Sequence, residues 1–207
     1  VHSMKDMTTI LPEGLVVAAV LVREDARDAL ISPRGYTLDT LPPGARIGTS
    51  SLRRAVQLLA WRPDLRIVEL RGNLGTRLRK AEREGFDAIV LAAAGLLRLD
   101  LADRITAYLP IERSLPAVGQ GAMAVQARRD DDRVLQLVAP LHDPLTGAAV
   151  EAERAFLRHL GGGCQVPIAA HGRVVHGRLH VAGLVAAVDG SVILRDETSG
   201  DAERPAA

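Results

Sequence analysis

The sequence predicts an α/β protein: two similar sheet-and-helix units, the first of them incomplete, followed by a small α+β unit. Three observations carry that expectation. Arg46 to Ala92 alternates short apolar runs with amphipathic stretches, the pattern of parallel strands joined by crossover helices. Gly14 to Leu21 and Gly121 to Ala127 are further apolar runs outside that alternation. After the amphipathic stretch Pro144 to Leu160 the chain changes character and reads as strands and tight turns.

Each element has a local reason. Gly14 to Leu21 is continuous and valine-rich, as expected of a strand buried on both faces. Ala26 to Ser32 carries the chain across to a new unit. A short strand then runs from Arg46 to Gly48, a helix from about Ser51 to Trp61, a strand from Leu65 to Leu70, a helix from Leu74 to Glu84 and a strand from Asp87 to Ala92. Ser50 or Ser51 caps the first helix, and Leu52, Val56 and Leu59 share one face of it. Pro63 and Gly85 follow the two helices as stop signals. Gly121 to Ala127 reads as a buried strand returning after the Pro116 loop. Pro144 to Leu160 gives the clearest amphipathic helix, with Val150, Ala152, Ala155, Phe156 and Leu160 on its apolar side and Gly161 as its stop. Val166 to Ala170 and Leu179 to Leu194 read as strands, the latter folded at an Asp189-Gly190 hairpin turn. The polar tail from Ser199 to Ala207 is expected to fray.

Composition excludes several functions. The 207 residues suffice for one large unit or two to three small ones with cores of their own. A formal net charge of +1 recruits neither nucleic acid nor anionic lipid. Aromatic residues, at 2%, provide no stacking platform for single strands. The longest apolar stretches, Leu15 to Val22 and Ala88 to Leu97, fall short of the ~20 residues a membrane-spanning helix needs. The expected partners therefore include no nucleic acid and no membrane, and no signal peptide is seen. One unpaired cysteine suits a reducing compartment, so the cytoplasm is the expected location and a monomer the expected state. Val1 is not an initiator methionine, and the opening reads as the end of a strand running into a loop; a partner strand set is expected before it.

The lone cysteine, Cys164, sits in Gly161-Gly162-Gly163-Cys164-Gln165-Val166-Pro167 directly after that helix. Three glycines keep bulk away, and Pro167 stiffens the exit. Such a thiol suits a covalent attachment; a small buried hydrophobe after a helix stop is the competing reading. At the other end, Val1-His2-Ser3-Met4-Lys5-Asp6 sets a hydroxyl, an ammonium and a carboxylate side by side. Two strand-to-helix turns, Gly48-Thr49-Ser50-Ser51 and Arg71-Gly72-Asn73, place hydroxyl and amide groups ahead of helices, where free N–H groups and the dipole favour anions. Arg53, Arg54, Arg71 and Arg77 crowd those turns, and Arg98 follows the next strand. Cations near a helix N-terminus cost roughly 0.3–1 kcal/mol each unless an anion lies between them. Guanidinium groups match carboxylates bidentately, so the cluster points to a poly-carboxylate ligand. Arg79 and Arg83 read as solvated surface residues.

Other chemistries lack their motifs. Neither a P-loop nor a dinucleotide fingerprint occurs. His176 and His180 flank a turn rather than share a helical face, and His2, His142, His159 and His171 show no ligand spacing with Cys164, so no metal is expected. A cysteine-protease arrangement is open to exclusion by geometry alone.

His-Ser-Met-Lys-Asp at 2–6, Gly48-Thr49-Ser50-Ser51-Leu52-Arg53-Arg54, Leu70-Arg71-Gly72-Asn73-Leu74-Gly75-Thr76-Arg77, Leu115-Pro116-Ala117-Val118-Gly119-Gln120-Gly121 and the Cys164 loop follow one another in this order. With all five, the chain resembles the porphobilinogen deaminase (hydroxymethylbilane synthase) family of tetrapyrrole biosynthesis, over nearly its whole length. The resemblance implies two domains like those of two-lobed periplasmic binding proteins and a third, α+β domain. Residues 1–22 and 118–140 would be the remainder of a discontinuous first domain, 26–115 the second and 144–207 the third. It also implies roughly one further half-domain before residue 1.

The implied activity is that of a transferase. Four porphobilinogen units, each bearing an acetate and a propionate, would join with release of ammonia onto a dipyrromethane cofactor held by a thioether on Cys164, giving hydroxymethylbilane. Ser3, Lys5, Thr49, Ser51, Arg53, Arg54, Arg71 and Asn73 would hold the cofactor, and Arg77 and Arg98 the substrate. Asp6 would be catalytic: ammonia loss leaves an electron-deficient azafulvene, whose positive charge a carboxylate beside the pyrrole N–H stabilises. Asp6 also reads as a loop or capping aspartate, and Lys5 equally as a surface lysine. The alternatives in function are a small-anion binding module of the two-lobed type, which has no use for Cys164 or Lys5-Asp6, and an inactive fragment of the enzyme.

Overall fold

The structure, a computed structural model, describes residues 1–161 and 166–206. Its elements in chain order are β1 (His2–Ser3), β2 (Leu15–Val20), β3 (Asp28–Ile31), β4 (Arg46–Gly48), α1 (Leu52–Trp61), β5 (Arg66–Val68), α2 (Leu74–Arg83), β6 (Ala88–Ala92), α3 (Ala93–Leu97) and β7 (Ala107–Tyr108). There follow β8 (Met123–Arg128), α4 (Asp132–Val138), α5 (Pro144–His159), β9 (Ile168–Val175), β10 (Arg178–Ala186) and β11 (Ile193–Asp201). A 3-10 turn, Met4–Asp6, follows β1 directly.

Three sheets result, with strand orders β1-β8-β2, β5-β4-β6-β3-β7 and β11-β10-β9. The central sheet is buried on both faces by strand alternation. Ala29, Ile31, Ile89 and Leu91 point to the side covered by α2 and α3, with Leu70, Leu78, Phe86 and Leu96. Leu30, Ala88 and Val90 point to the other, with Ile47, Leu58 and Leu109. The C-terminal sheet lies between α5, through Ala149, Ala152 and Leu179, and the central unit, through Val56, Leu115, Ala169, Leu184 and Ala186. Gly172 permits the close seating of α5, since a Cβ there would lie 2.7 Å from the Ala149 carbonyl oxygen.

The expected helices and strands between Arg46 and Ala92 are present, α1 capped by Ser51 and α2 by Asn73, each side chain accepting from the backbone N–H three residues on. Other expectations are corrected. The central sheet is mixed rather than parallel: β4 pairs in parallel with β5 and β6, but β3 runs antiparallel to β6 and β7. The segment read as a passage, Ala26 to Ser32, is therefore largely a central strand. β2 lies at a sheet edge and is half-buried along most of its length. The C-terminal sheet has three strands because the chain also turns at His176-Gly177, both at positive φ. Its last strand continues to Asp201, paired residue for residue with β10, so Ser199 to Asp201, expected to fray, belong to the sheet.

Candidate active site

A cleft of about 390 Å³ opens where the three sheets meet. The 3-10 turn supplies Met4 and Lys5, the start of α1 supplies Ser51 and Arg53, and the 117–118 loop, α5 and the approach to β9 supply Val118, Arg154 and Val166. Lys5, Arg53 and Arg154 put three cations on its walls, and no carboxylate lines it among the described residues. Two other cavities, of about 290 and 480 Å³, lie on the C-terminal sheet away from these residues.

Asp28, at the start of β3, lies beneath the cleft and is fully buried. Its Oδ2 accepts from Arg53 Nη1 at 2.8 Å, and its Oδ1 from Arg54 Nη2 at 2.8 Å and Nε at 3.0 Å. Burial works against the Asp28 carboxylate, but the two guanidinium groups hold it well below the usual carboxylate range. Arg53 and Arg54 donate further to the Leu115 and Val90 carbonyls at 2.7 and 3.1 Å. The anion expected among these arginines is thus, in the first place, a carboxylate of the chain itself. One charge does not balance two, and Lys5 adds a third. Loss of water in the cleft pushes the Lys5 ammonium below its ordinary value; Arg54 and Arg53 push the same way, and Asp6 and Asp28 oppose them. Much of the Lys5 side chain still meets solvent at the rim.

The turn bearing Lys5 and Asp6 is held from below. Met4 is buried, and a Cβ at Gly119 (φ 71°) would lie 2.7 Å from Met4 Cγ. The Gly119 N–H donates to Glu153 Oε2 at 2.6 Å; Oε1 accepts from Gly172 N at 2.7 Å and from Arg23 Nη1 at 2.5 Å. Arg23 Nε donates to the Gln120 carbonyl at 2.8 Å, and the Gln120 amide donates to Asp28 Oδ1 at 2.9 Å. A buried polar network, Arg54–Asp28–Gln120–Arg23–Glu153, thus runs behind the cleft through all three sheets' surroundings.

The remaining candidates divide. Thr49 is buried, its hydroxyl accepting from Ser51 N at 3.2 Å, so it shapes the turn beneath Ser51. Ser3 is half-buried and Asp6 exposed on the adjoining turn. Arg71 is 80% exposed and donates to Glu69 at 2.7 Å; Asn73 caps α2 beside it. Arg77 has a buried Nε with no partner, and burial, then Arg54, lowers its pKa. Arg98 donates to the Gly121 carbonyl at 2.6 Å. Cys164 lies outside the described residues; Val166, two residues on in sequence, lines the cleft.

Four residues of the site escaped sequence reasoning. Asp28 and Glu153 look like members of charged surface runs, and Arg154 like the polar side of α5. Gln120, a polar residue in a glycine-flanked loop, is 1% exposed and bonded to Asp28. The one usable signal was Glu153-Arg154 itself, a charged pair amid the apolar positions of α5.

The donor set suits a dipyrromethane. Hydroxyl, ammonium and guanidinium groups face the cleft, a donor set that a ligand with several carboxylates matches.

Fold and cleft together define an α/β protein with a cleft walled by cations. Residues 1–136 match the family described as "Porphobilinogen deaminase, dipyromethane cofactor binding domain", and 148–207 the "Porphobilinogen deaminase, C-terminal domain". The porphobilinogen deaminase of Syntrophotalea carbinolica is 59% identical over 95% of this chain and 62% of its own, and that of Moorella thermoacetica 58% over 100% of this chain and 66% of its own. The chain belongs to the porphobilinogen deaminase family, and spans just under two thirds of the length of these two relatives. A solved arginine-specific periplasmic binding protein of Salmonella typhimurium shares 15% identity over 65% of this chain and 60% of its own, with a TM-score of 0.38, too slight a likeness to bear on the fold. No helix among the described residues is long and apolar enough to cross a membrane.

Proposed function

We propose that the full-length gene product joins porphobilinogen units, with release of ammonia, onto a dipyrromethane primer covalently held by Cys164, and releases hydroxymethylbilane. The observation that carries this reading is the cleft walled by Lys5, Arg53 and Arg154 with no carboxylate among its described lining, opening beside Val166. When bound, the primer would supply the nucleophilic pyrrole carbon to which the first unit is added, each later unit joining the one before it.

The chain's own residues orient and neutralise. Arg53 and Ser51 present donors at the N-terminus of α1, where the dipole adds to their pull on a carboxylate. Arg71 and Asn73 offer a second such end on α2. Arg77 and Arg98 take the incoming unit's carboxylates. Asp6 has no partner fixed to it by hydrogen bonding among the described residues, so its carboxylate is free to face a pyrrole N–H and stabilise the cation left by ammonia loss. Recurring use of one aspartate fits a reaction that repeats one addition. The protein acts as a monomer in the cytoplasm.

Incubation of the full-length gene product with porphobilinogen, following ammonia release and the linear tetrapyrrole, tests this reading. Stoichiometric ammonia and one tetrapyrrole per four units are expected. Binding without ammonia release would favour the small-anion module instead.

A further inference from the structure

We propose that Asp28 is a positioning residue for the transfer reaction, fixing the orientation of Arg53 and Arg54 beneath the cleft and setting how much of their charge is left for an anionic ligand. The inference rests on the transferase reading above.

Asp28 sits 0% exposed among donors only. Besides the contacts already given, Oδ1 accepts from Arg53 Nη2 at 3.3 Å, and Oδ2 from Ser114 Oγ at 3.1 Å. Six donor contacts on one carboxylate leave it a single orientation, and each guanidinium is fixed a second time by a backbone carbonyl. A single arginine would have balanced the charge. Two on one carboxylate leave a net buried cation, which a fold selected for stability alone has reason to avoid. The surplus is directed outward: Arg53 lines the cleft, and Arg54 lies close enough to lower the pKa of both Lys5 and Arg77. Gln120 ties this arrangement to Arg23 and Glu153, so the same carboxylate also sets the register between the arginines and α5.

Asp28→Asn, nearly isosteric, keeps acceptor oxygen but loses the charge, and Asp28→Glu keeps the charge but moves it by one methylene. Both are made in the full-length gene product and followed by thermal unfolding, intact mass and steady-state kinetics with porphobilinogen. Folded Asp28→Asn protein is expected to carry the primer in less than about a tenth of molecules, or to turn over at least about tenfold more slowly. Asp28→Glu is expected to fold and carry primer, with kcat reduced about tenfold and KM within about threefold of the parent. Folded Asp28→Asn protein with parental primer content and kcat overturns the inference. If Asp28→Asn does not fold, Asp28→Glu decides: a parental kcat overturns it and the split between kcat and KM sustains it. A parent protein with neither primer nor turnover overturns the transferase reading, and this inference with it.

Discussion

Glu153 accepts a hydrogen bond from the backbone N–H of Gly119 at 2.6 Å, and Gly119 in turn lies under Met4. That bond, with Val150 packed against Met4 and Arg154 donating to the Thr8 carbonyl at 2.6 Å, joins α5, the helix that precedes the Cys164 segment, to the turn bearing Lys5 and Asp6. Glu153 is fully buried and spends its other oxygen on Arg23 and on the Gly172 N–H of the C-terminal sheet. A single carboxylate therefore holds together three segments that are far apart in sequence.

Glu153→Gln keeps the shape and removes the charge, leaving Arg23, whose side chain is 12% exposed, without its counterion. Breaking a buried pair from one side costs roughly 3–5 kcal/mol, and the partial exposure of Arg23 favours the lower end. Urea denaturation should show a loss of about 3 kcal/mol. A loss below about 1 kcal/mol, the scale of an exposed pair, would show that the joint is not held by charge.

The arginines fall into two energetic classes. Arg54→Leu removes two of the six donor contacts on Asp28, which keeps Arg53 as its counterion, and should lower both stability, by about 1.5–3 kcal/mol, and primer assembly. Arg71→Leu removes only an exposed pair with Glu69 and should change stability by less than about 0.5 kcal/mol while still impairing assembly or elongation. Arg79→Leu serves as the comparison, since among the described residues the Arg79 side chain donates only to Thr76 Oγ1. Equal kinetics for all three would dispose of the anion-cleft argument.

What was legible in the sequence followed from short-range chemistry. Ser51 and Asn73 announce their helices because a capping side chain acts three residues away. Lys5, Ser51 and Arg53, singled out through the family resemblance, line one cleft. Asp28 was not legible, because its burial is imposed by Arg53 and Arg54, 25 and 26 residues on, and by Gln120, 92 residues on. β3 was hidden because only Ala29, Leu30 and Ile31 are apolar in it, directly after the charged stretch Arg23 to Asp28. β11 is polar throughout its second half, so only its pairing with β10 makes it a strand.

His171 links stability to pH. Burial, with Arg23 and Arg173 adding and Asp25 opposing, lowers its pKa from 6.5 to about 4. The folded value lies below the unfolded one, so the unfolded chain binds the extra proton between these limits. Stability should be full above pH 6.5 and fall as the pH drops toward 4. His171→Gln should flatten that part of the profile; an unchanged slope would assign it to other groups.

Asp6→Asn should leave folding and primer attachment largely intact while lowering turnover by on the order of a hundredfold. Asp6→Glu, which keeps the charge but misplaces it, should retain a measurable fraction. Asp6→Asn protein that releases tetrapyrrole at the parental rate would make Asp6 structural.

The intact mass of the full-length gene product bears most directly on the account. A covalent dipyrromethane on the parent, absent from Cys164→Ser, is the predicted result. Active protein whose Cys164 is unmodified would contradict it.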